Sequence, residues 1–269
     1  MMDRKPEEKS ERNQTARRVV PERRYRKPPV IEALCEIYFS RSSWDDTVPG
    51  AFYERVKSDF PQKRQRKIQE AQITLGPEQA AAGFRQLPPW MQFVSDEKHR
   101  MIQLAQDLLV VNQLAPYPHF EEWEPDVYRA IGIYSELAQP RNVVRVGLRY
   151  INRVLIPEKQ VRMEDYFTIY PNLPQSLGEI HGSFLVRVEV PQSGPGHTVV
   201  ITFGTAPPPL QDAAQAFILD LYDILEVDAP VDEEVVKREV RCAHDNIVGA
   251  FEDSITDKLR ALFELEEQA

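Results

Sequence analysis

One order of elements runs through the chain twice: strand, helix, three or four strands, then a long helix, within 269 residues. The opening strands start near Val30 and Val143, an offset of 113, and the closing helices near Glu121 and Asp232, an offset of 111. Two separate landmarks with nearly one offset point to a duplicated topology, although no residue-level repeat accompanies it. Strands gathered in runs argue against an alternating parallel sheet and for an α+β architecture. The expected fold is two tandem β-α-β(3–4)-α units forming one curved antiparallel sheet with helices packed on one face. Residues 28–140 and 141–269 are the two halves of a single continuous domain.

Side-chain periodicity supplies the elements. In VIEALCEIYF, residues 30–39, Ile31, Ala33, Cys35, Ile37 and Phe39 share one face, and Glu32, Glu36 and Tyr38 the other. That is a strand with one buried side, and Cys35 is a core residue. A helix follows from Pro49, with Phe52, Val56 and Phe60 on one stripe and Pro61 as its stop. KIQEAQITL reads as a strand, and the stretch to Pro88-Pro89 as a loop with room for a short helix. WMQFVS, RMIQLAQ and LLVVNQL form an antiparallel meander. The next helix lines up Trp123, Val127, Ile131 and Tyr134, with Pro125 expected in its first turn. The second half reads as a long strand VVRVGLRYINRVLI, a weak helix over Met163–Tyr170, and strands SFLVRVEV, TVVITFG and FILDLYDIL. From Asp232 an amphipathic helix carries Val236, Val240, Ile247, Phe251, Ile255, Leu259 and Leu262, and the capping-box spacing of Ser254 and Asp257 predicts a break.

Charge narrows the partners. Net charge is −9, yet residues 1–30 hold ten Lys/Arg against five acids, and residues 220–269 hold fifteen acids against five bases. A body this acidic disfavours broad phosphate-backbone binding, which leaves nucleic acid only the basic tail or an arginine row. Residues 1–27, poor in large apolar groups, are expected to be a disordered basic tail. No apolar run reaches the ~20 residues that cross a bilayer, and no secretory h-region is present. Two distant cysteines, Cys35 and Cys242, suit a reducing compartment, so the cytoplasm is expected.

The most pointed chemical feature is Arg145, Arg149 and Arg153 on the long second-half strand. Strand periodicity places them on one face, spaced by about 13 Å. A guanidinium row can bind phosphate or carboxylate bidentately, or form cross-strand ion pairs with Glu32, Glu36, Glu189 or Asp220. Asn152, on the apolar face, needs a hydrogen-bond partner, and a backbone group is expected. A second cluster, with Asn112, Gln113, Tyr117, His119 and Trp123, falls at a strand-to-helix junction. Ligand-binding candidates are therefore Arg145, Arg149, Arg153, Glu32, Glu36, Asn112 and Tyr117. No metal site, cofactor or catalytic residue is nominated. The five histidines lack metal-ligand spacing, and Cys242-x-His244 is too short for zinc on a helix.

PPVIEALCEIYF, PGAFYERVKSDFP, QDLLVVNQLAPYPHFEEW, VGLRYINRVLIP and HDNIVGAFEDSITDKLRALF together resemble a sporadically distributed family of uncharacterised prokaryotic proteins. The NQL-x-PYP and GLRYINR stretches are its more specific parts. The resemblance covers most of 28–263, implies one domain and suits a defence-associated accessory gene; it implies no catalytic residues. The element order is also similar to that of TATA-binding-protein-like folds, an analogy of topology and not of function. The leading functional expectation is a non-enzymatic binding protein, antitoxin-like or defence-associated. Its sheet face and acidic C-terminal helix would engage a protein partner. The alternatives are an enzyme or sensor for an anionic phosphate-bearing ligand, and a nucleic-acid-binding protein. Triphosphate-tunnel enzymes use charged strand faces, but Glu32 and Glu36 are four apart without the lysine of that pattern.

Overall fold

In the computed structural model, which describes residues 23–75, 80–177, 182–192, 196–207 and 215–266, side chains of 67–75, 80–88 and 175 are not described. The chain runs β1 (Val30–Ser40), α1 (Val48–Val56), β2 (Gln62–Leu75), β3 (Ala80–Val94), β4 (Arg100–Ala105), β5 (Leu108–Leu114) and α2 (Phe120–Ala138). It continues with β6 (Asn142–Ile156), α3 (Met163–Tyr166), a 3-10 turn (Gln175–Leu177), β7 (Leu185–Pro191), β8 (His197–Ala206), β9 (Gln215–Pro230), α4 (Glu233–Ser254) and α5 (Asp257–Leu262).

All the paired strands are antiparallel, in one open sheet ordered β2-β3-β4-β5-β1-β6-β9-β8-β7. The β1–β6 pair at its middle joins the two halves of the chain, so one sheet runs across both. Helices pack against one side. Ala33, Cys35, Ile37 and Phe39 of β1 meet Trp123, Val127 and Ile131 of α2 and Val236, Val240 and Ile247 of α4 in a single core. This is an α+β protein with one nine-stranded antiparallel sheet and helices on one of its faces. Among the described residues no helix is long and apolar enough to cross a membrane.

Several expectations need correction, each for a physical reason. Ile31 is 39% exposed, although simple alternation assigns it to the core. A register shift between Val30 and Glu32 makes Ile31 the extra residue of a bulge. The expected loop before Pro88-Pro89 is strand from Ala80 onward, because pairing with β2 supplies the backbone partners whatever the local propensity. The two prolines fall at a second register shift, opposite Lys67, where the ladder makes no demand on their missing N–H groups. Pro125 sits in the second turn of α2 and forgoes one intrahelical bond. The break after α4 falls where expected, but the cap of α5 is Thr256, whose Oγ1 accepts from the Leu259 N–H; Ser254 instead donates to the Ala250 carbonyl.

The basic leader also divides. Residues 1–22 lie outside the described residues, whereas 23–27 are tied down. Tyr25 is buried and bridges to Leu265, and its hydroxyl donates to buried Glu252 at 2.7 Å. Arg23 and Arg260 also pair with Glu252. A carboxylate this buried is tolerable only with such partners, so the Tyr25 segment and the C-terminal helices hold one another.

Candidate functional site

The second face of the sheet is built by period-two geometry. Register places Glu32, Leu34, Glu36 and Tyr38 of β1 beside Arg145, Gly147, Arg149, Ile151 and Arg153 of β6, and these beside Ile218, Asp220, Tyr222, Ile224 and Glu226 of β9. The three arginines share this side, opposite buried Val146, Leu148, Tyr150, Asn152 and Val154. No described helix covers it.

Two of the guanidiniums are engaged. Arg149 grips Asp220 through two hydrogen bonds, Nε–Oδ1 at 2.8 Å and Nη2–Oδ2 at 2.5 Å, and lies over the Tyr222 ring. These bonds raise the Arg149 pKa further above its ordinary value. Arg145 pairs with Glu226 at 2.7 Å and covers the Tyr38 ring. Arg153 donates to the Pro207 carbonyl at 2.9 Å, and its Nε is buried without a hydrogen-bond partner among the described residues. Arg187 and Glu189 on β7 form a further pair.

The acids are satisfied as well. The Tyr222 hydroxyl donates to Glu36 across β6, and it can do so because Gly147 lies beneath. A Cβ there would sit 2.8 Å from the Tyr222 ring and 3.0 Å from Glu36 Cγ. Burial first, and the Glu36 bond second, push the Tyr222 hydroxyl far above its ordinary pKa, so it remains a donor. On the other flank Gln92 donates to Gln103 at 2.8 Å, Gln103 to Asn112 at 2.9 Å, and Asn112 to Glu32 at 2.7 Å. This ladder crosses from β3 to β4 between direct partners and then runs diagonally over β5 to β1, with every amide facing consistently. Beside it Ala105, Leu108 and Val110 form a small apolar cluster with Leu34, Tyr38 and Trp90, separate from the main core.

Of the sequence candidates, Arg145, Arg149, Arg153, Glu32, Glu36 and Asn112 thus come together on one face. Tyr117 does not. It lies on the helix side, accepting from Trp123 Nε1 at 3.3 Å and donating to Tyr150 at 3.0 Å, while Tyr150 meets His244 Nδ1 at 2.9 Å. Burial lowers the His244 pKa to about 4, so the ring at the end of this hydrogen-bonded relay is neutral. His244 stacks on Phe120 at 4.0 Å. The cavity at this relay holds about 90 Å³, room for a few waters and far below the ~300 Å³ of a typical ligand pocket. Asn152, on the same side, finds backbone partners as expected, the carbonyls of Tyr150 and Leu219. Sequence reasoning missed Gln92, Gln103 and Tyr222. Their only signal is alternation on strands whose register was unknown.

No protein-family model matches this chain, and no curated protein is similar to it in sequence.

Proposed function

We propose that the chain is a non-enzymatic binding protein whose uncovered sheet face docks a protein partner. The observation that carries this reading is the self-sufficiency of that face. Apart from Arg153, whose Nε has no partner among the described residues, the polar groups at its centre are already paired with one another, so a partner can dehydrate those pairs without stranding a charge or an amide. Trp90, Tyr38, Tyr222 and the stacked Arg145 and Arg149 are residue types that concentrate binding energy in interface centres. The same pairing weakens the anionic-ligand reading, because Arg145 and Arg149 must release Glu226 and Asp220 before they bind phosphate. A nucleic-acid grip fares no better. At the centre of this face Arg145, Arg149 and Arg153 meet four acids, Glu32, Glu36, Asp220 and Glu226, while Arg64 and Arg66 lie towards its β2 edge beside Gln92 and Trp90.

Our reading of the scaffold is a duplicated β-α-β(3–4)-α unit of TATA-binding-protein-like order. From the central pair the strands run β1-β5-β4-β3-β2 on one side and β6-β9-β8-β7 on the other, which supports it. The stretches resembling the prokaryotic family lie on β1, α1, β5, β6, α4 and α5, around that centre. Helix α4 packs on the covered side, so the proposed footprint is the sheet face alone.

The test is capture from native lysate by the tagged full chain, with Tyr38→Asp and Trp90→Ala as face variants. Wild type retains a stoichiometric protein, and the variants lose it while remaining folded by circular dichroism. Capture of nothing stoichiometric, or equal capture by the variants, refutes the reading. Stabilisation by nucleotides or polyphosphate that Arg149→Ala abolishes supports the anionic-ligand alternative instead.

A further inference from the structure

On the covered side, β8 and α4 bring together three donor groups that the docking face does not use. We propose that His197, Glu239 and Cys242 form a binding site for a borderline transition-metal ion of the zinc(II) class. One donor atom from each lies within 4.8 Å of the other two. Glu239 and Cys242 are three residues apart on α4 and so share a helix face, and His197 opens β8 beneath them.

The surroundings of His197 carry the inference. The imidazole is 3% exposed, with Nδ1 at 2.5 Å from Asp223 Oδ1. Asp223 is fully buried, and its second oxygen accepts from Asn246 Nδ2 at 2.8 Å. A carboxylate behind the ring is the arrangement that fixes the tautomer of a metal-ligating histidine. With the Nδ1 proton held by Asp223, the Nε2 lone pair points at Glu239 Oε2, 3.2 Å away. Two acceptors that close need a positive centre between them, either a proton or a metal ion. Arg238 holds the other oxygen of Glu239 at 2.6 Å, which leaves Oε2 for monodentate service.

The third donor favours the metal. A proton shared by His197 and Glu239 has no use for a sulfur, whereas imidazole, carboxylate and thiolate together make a zinc-type donor set and a poor one for magnesium or calcium. Zinc bonds of about 2.0–2.3 Å place donors roughly 3–4 Å apart. The present spread closes to that by about 1 Å of side-chain adjustment at Glu239 and Cys242, both partly exposed. Three protein donors leave a fourth position for water or a ligand. This site stands on the other side of the sheet from the docking face and does not depend on it.

The experiment uses the full chain, stripped with a chelator, with cobalt(II) as the spectroscopic probe and zinc(II) as competitor. One equivalent of cobalt should bind with a thiolate-to-metal charge-transfer band, and zinc should displace it and raise the melting temperature. Cys242→Ser, at a partly exposed position where folding is expected to survive, removes the band and weakens zinc at least about 10-fold. Asp223→Asn weakens it about 10–100-fold through the orientation of His197. Substoichiometric binding, no zinc-dependent stabilisation, or the same band and affinity in Cys242→Ser overturns the proposal. The positive centre between His197 and Glu239 is then a proton.

Discussion

The two faces of this sheet solve the problem of polar groups on a strand in opposite ways. On the covered face polar side chains are few and embedded in apolar surroundings, each tied to a local partner: Asn152 to backbone carbonyls, Tyr150 to His244, His197 to Asp223. On the other face they are numerous and tied to one another across strands, from Gln92 to Glu32 and from Tyr222 to Glu36. The first arrangement serves stability, since an unpaired group in a dry core costs on the order of 1–3 kcal/mol. The second leaves a surface most of whose polar groups, Arg153 apart, already have partners. A face so prepared loses little when a partner displaces water from it.

The largest test of this contrast swaps one tryptophan on each side. Trp123 is fully buried in the main core, and Trp90 borders the small cluster on the uncovered face. Trp123→Ala should lower unfolding stability by about 3–5 kcal/mol, and Trp90→Ala by about 1 kcal/mol or less, in urea titrations. Equal losses would show that the uncovered face is a second core and not a docking surface.

A smaller effect is expected from Gly147→Ala, which probes how the uncovered face is knitted together. The added methyl meets the Tyr222 ring and Glu36, so either the ring leaves its hydrogen bond or the strand shifts. The expected cost is about 1–3 kcal/mol. Tyr222→Ala combined with it should recover part of that loss, because the obstructing ring is gone. Strict additivity in the double variant would remove the steric explanation.

The smallest effects separate the two ion pairs. Arg145 and Glu226 have side chains 37% and 63% exposed, so a double-mutant cycle should return no more than about 0.5 kcal/mol, fading with salt. Asp220 is only 12% exposed at its side chain and accepts two bonds from Arg149, so the same cycle there should return about 1 kcal/mol or more. Two equally weak pairs would mean that the face is solvated throughout and less prepared for docking.

Much of the scaffold was legible from residue order. The alternation in β1, the stripes on α2 and α4, the break near Ser254 and the shared face of Arg145, Arg149 and Arg153 all rest on local periodicity, which the chain carries within a few residues. What was not legible depends on register. Ile31 turns outward because of a bulge set by pairing with β6, and β3 exists because β2 lies beside it. Tyr117 was grouped with Asn112 by proximity in sequence, yet Asn112 sits on the strand's outer side and Tyr117 beyond it, against Tyr150 on the inner one. The candidate metal cluster draws His197 from one strand and Glu239 and Cys242 from a helix about forty residues later, a convergence that no spacing rule announces.

By itself, then, the amino-acid order determined where most of the strands and helices lie and which side of them is apolar, β3 and Ile31 excepted, because those properties are written in intervals of two and of 3.6 residues. Only the tertiary structure decided which side chains meet, because meeting requires strand register and helix docking between residues tens to hundreds of positions apart. The arginine row shows both halves of that division: its shared face follows from period two, and its engagement with Asp220 and Glu226 follows from β9 lying next to β6.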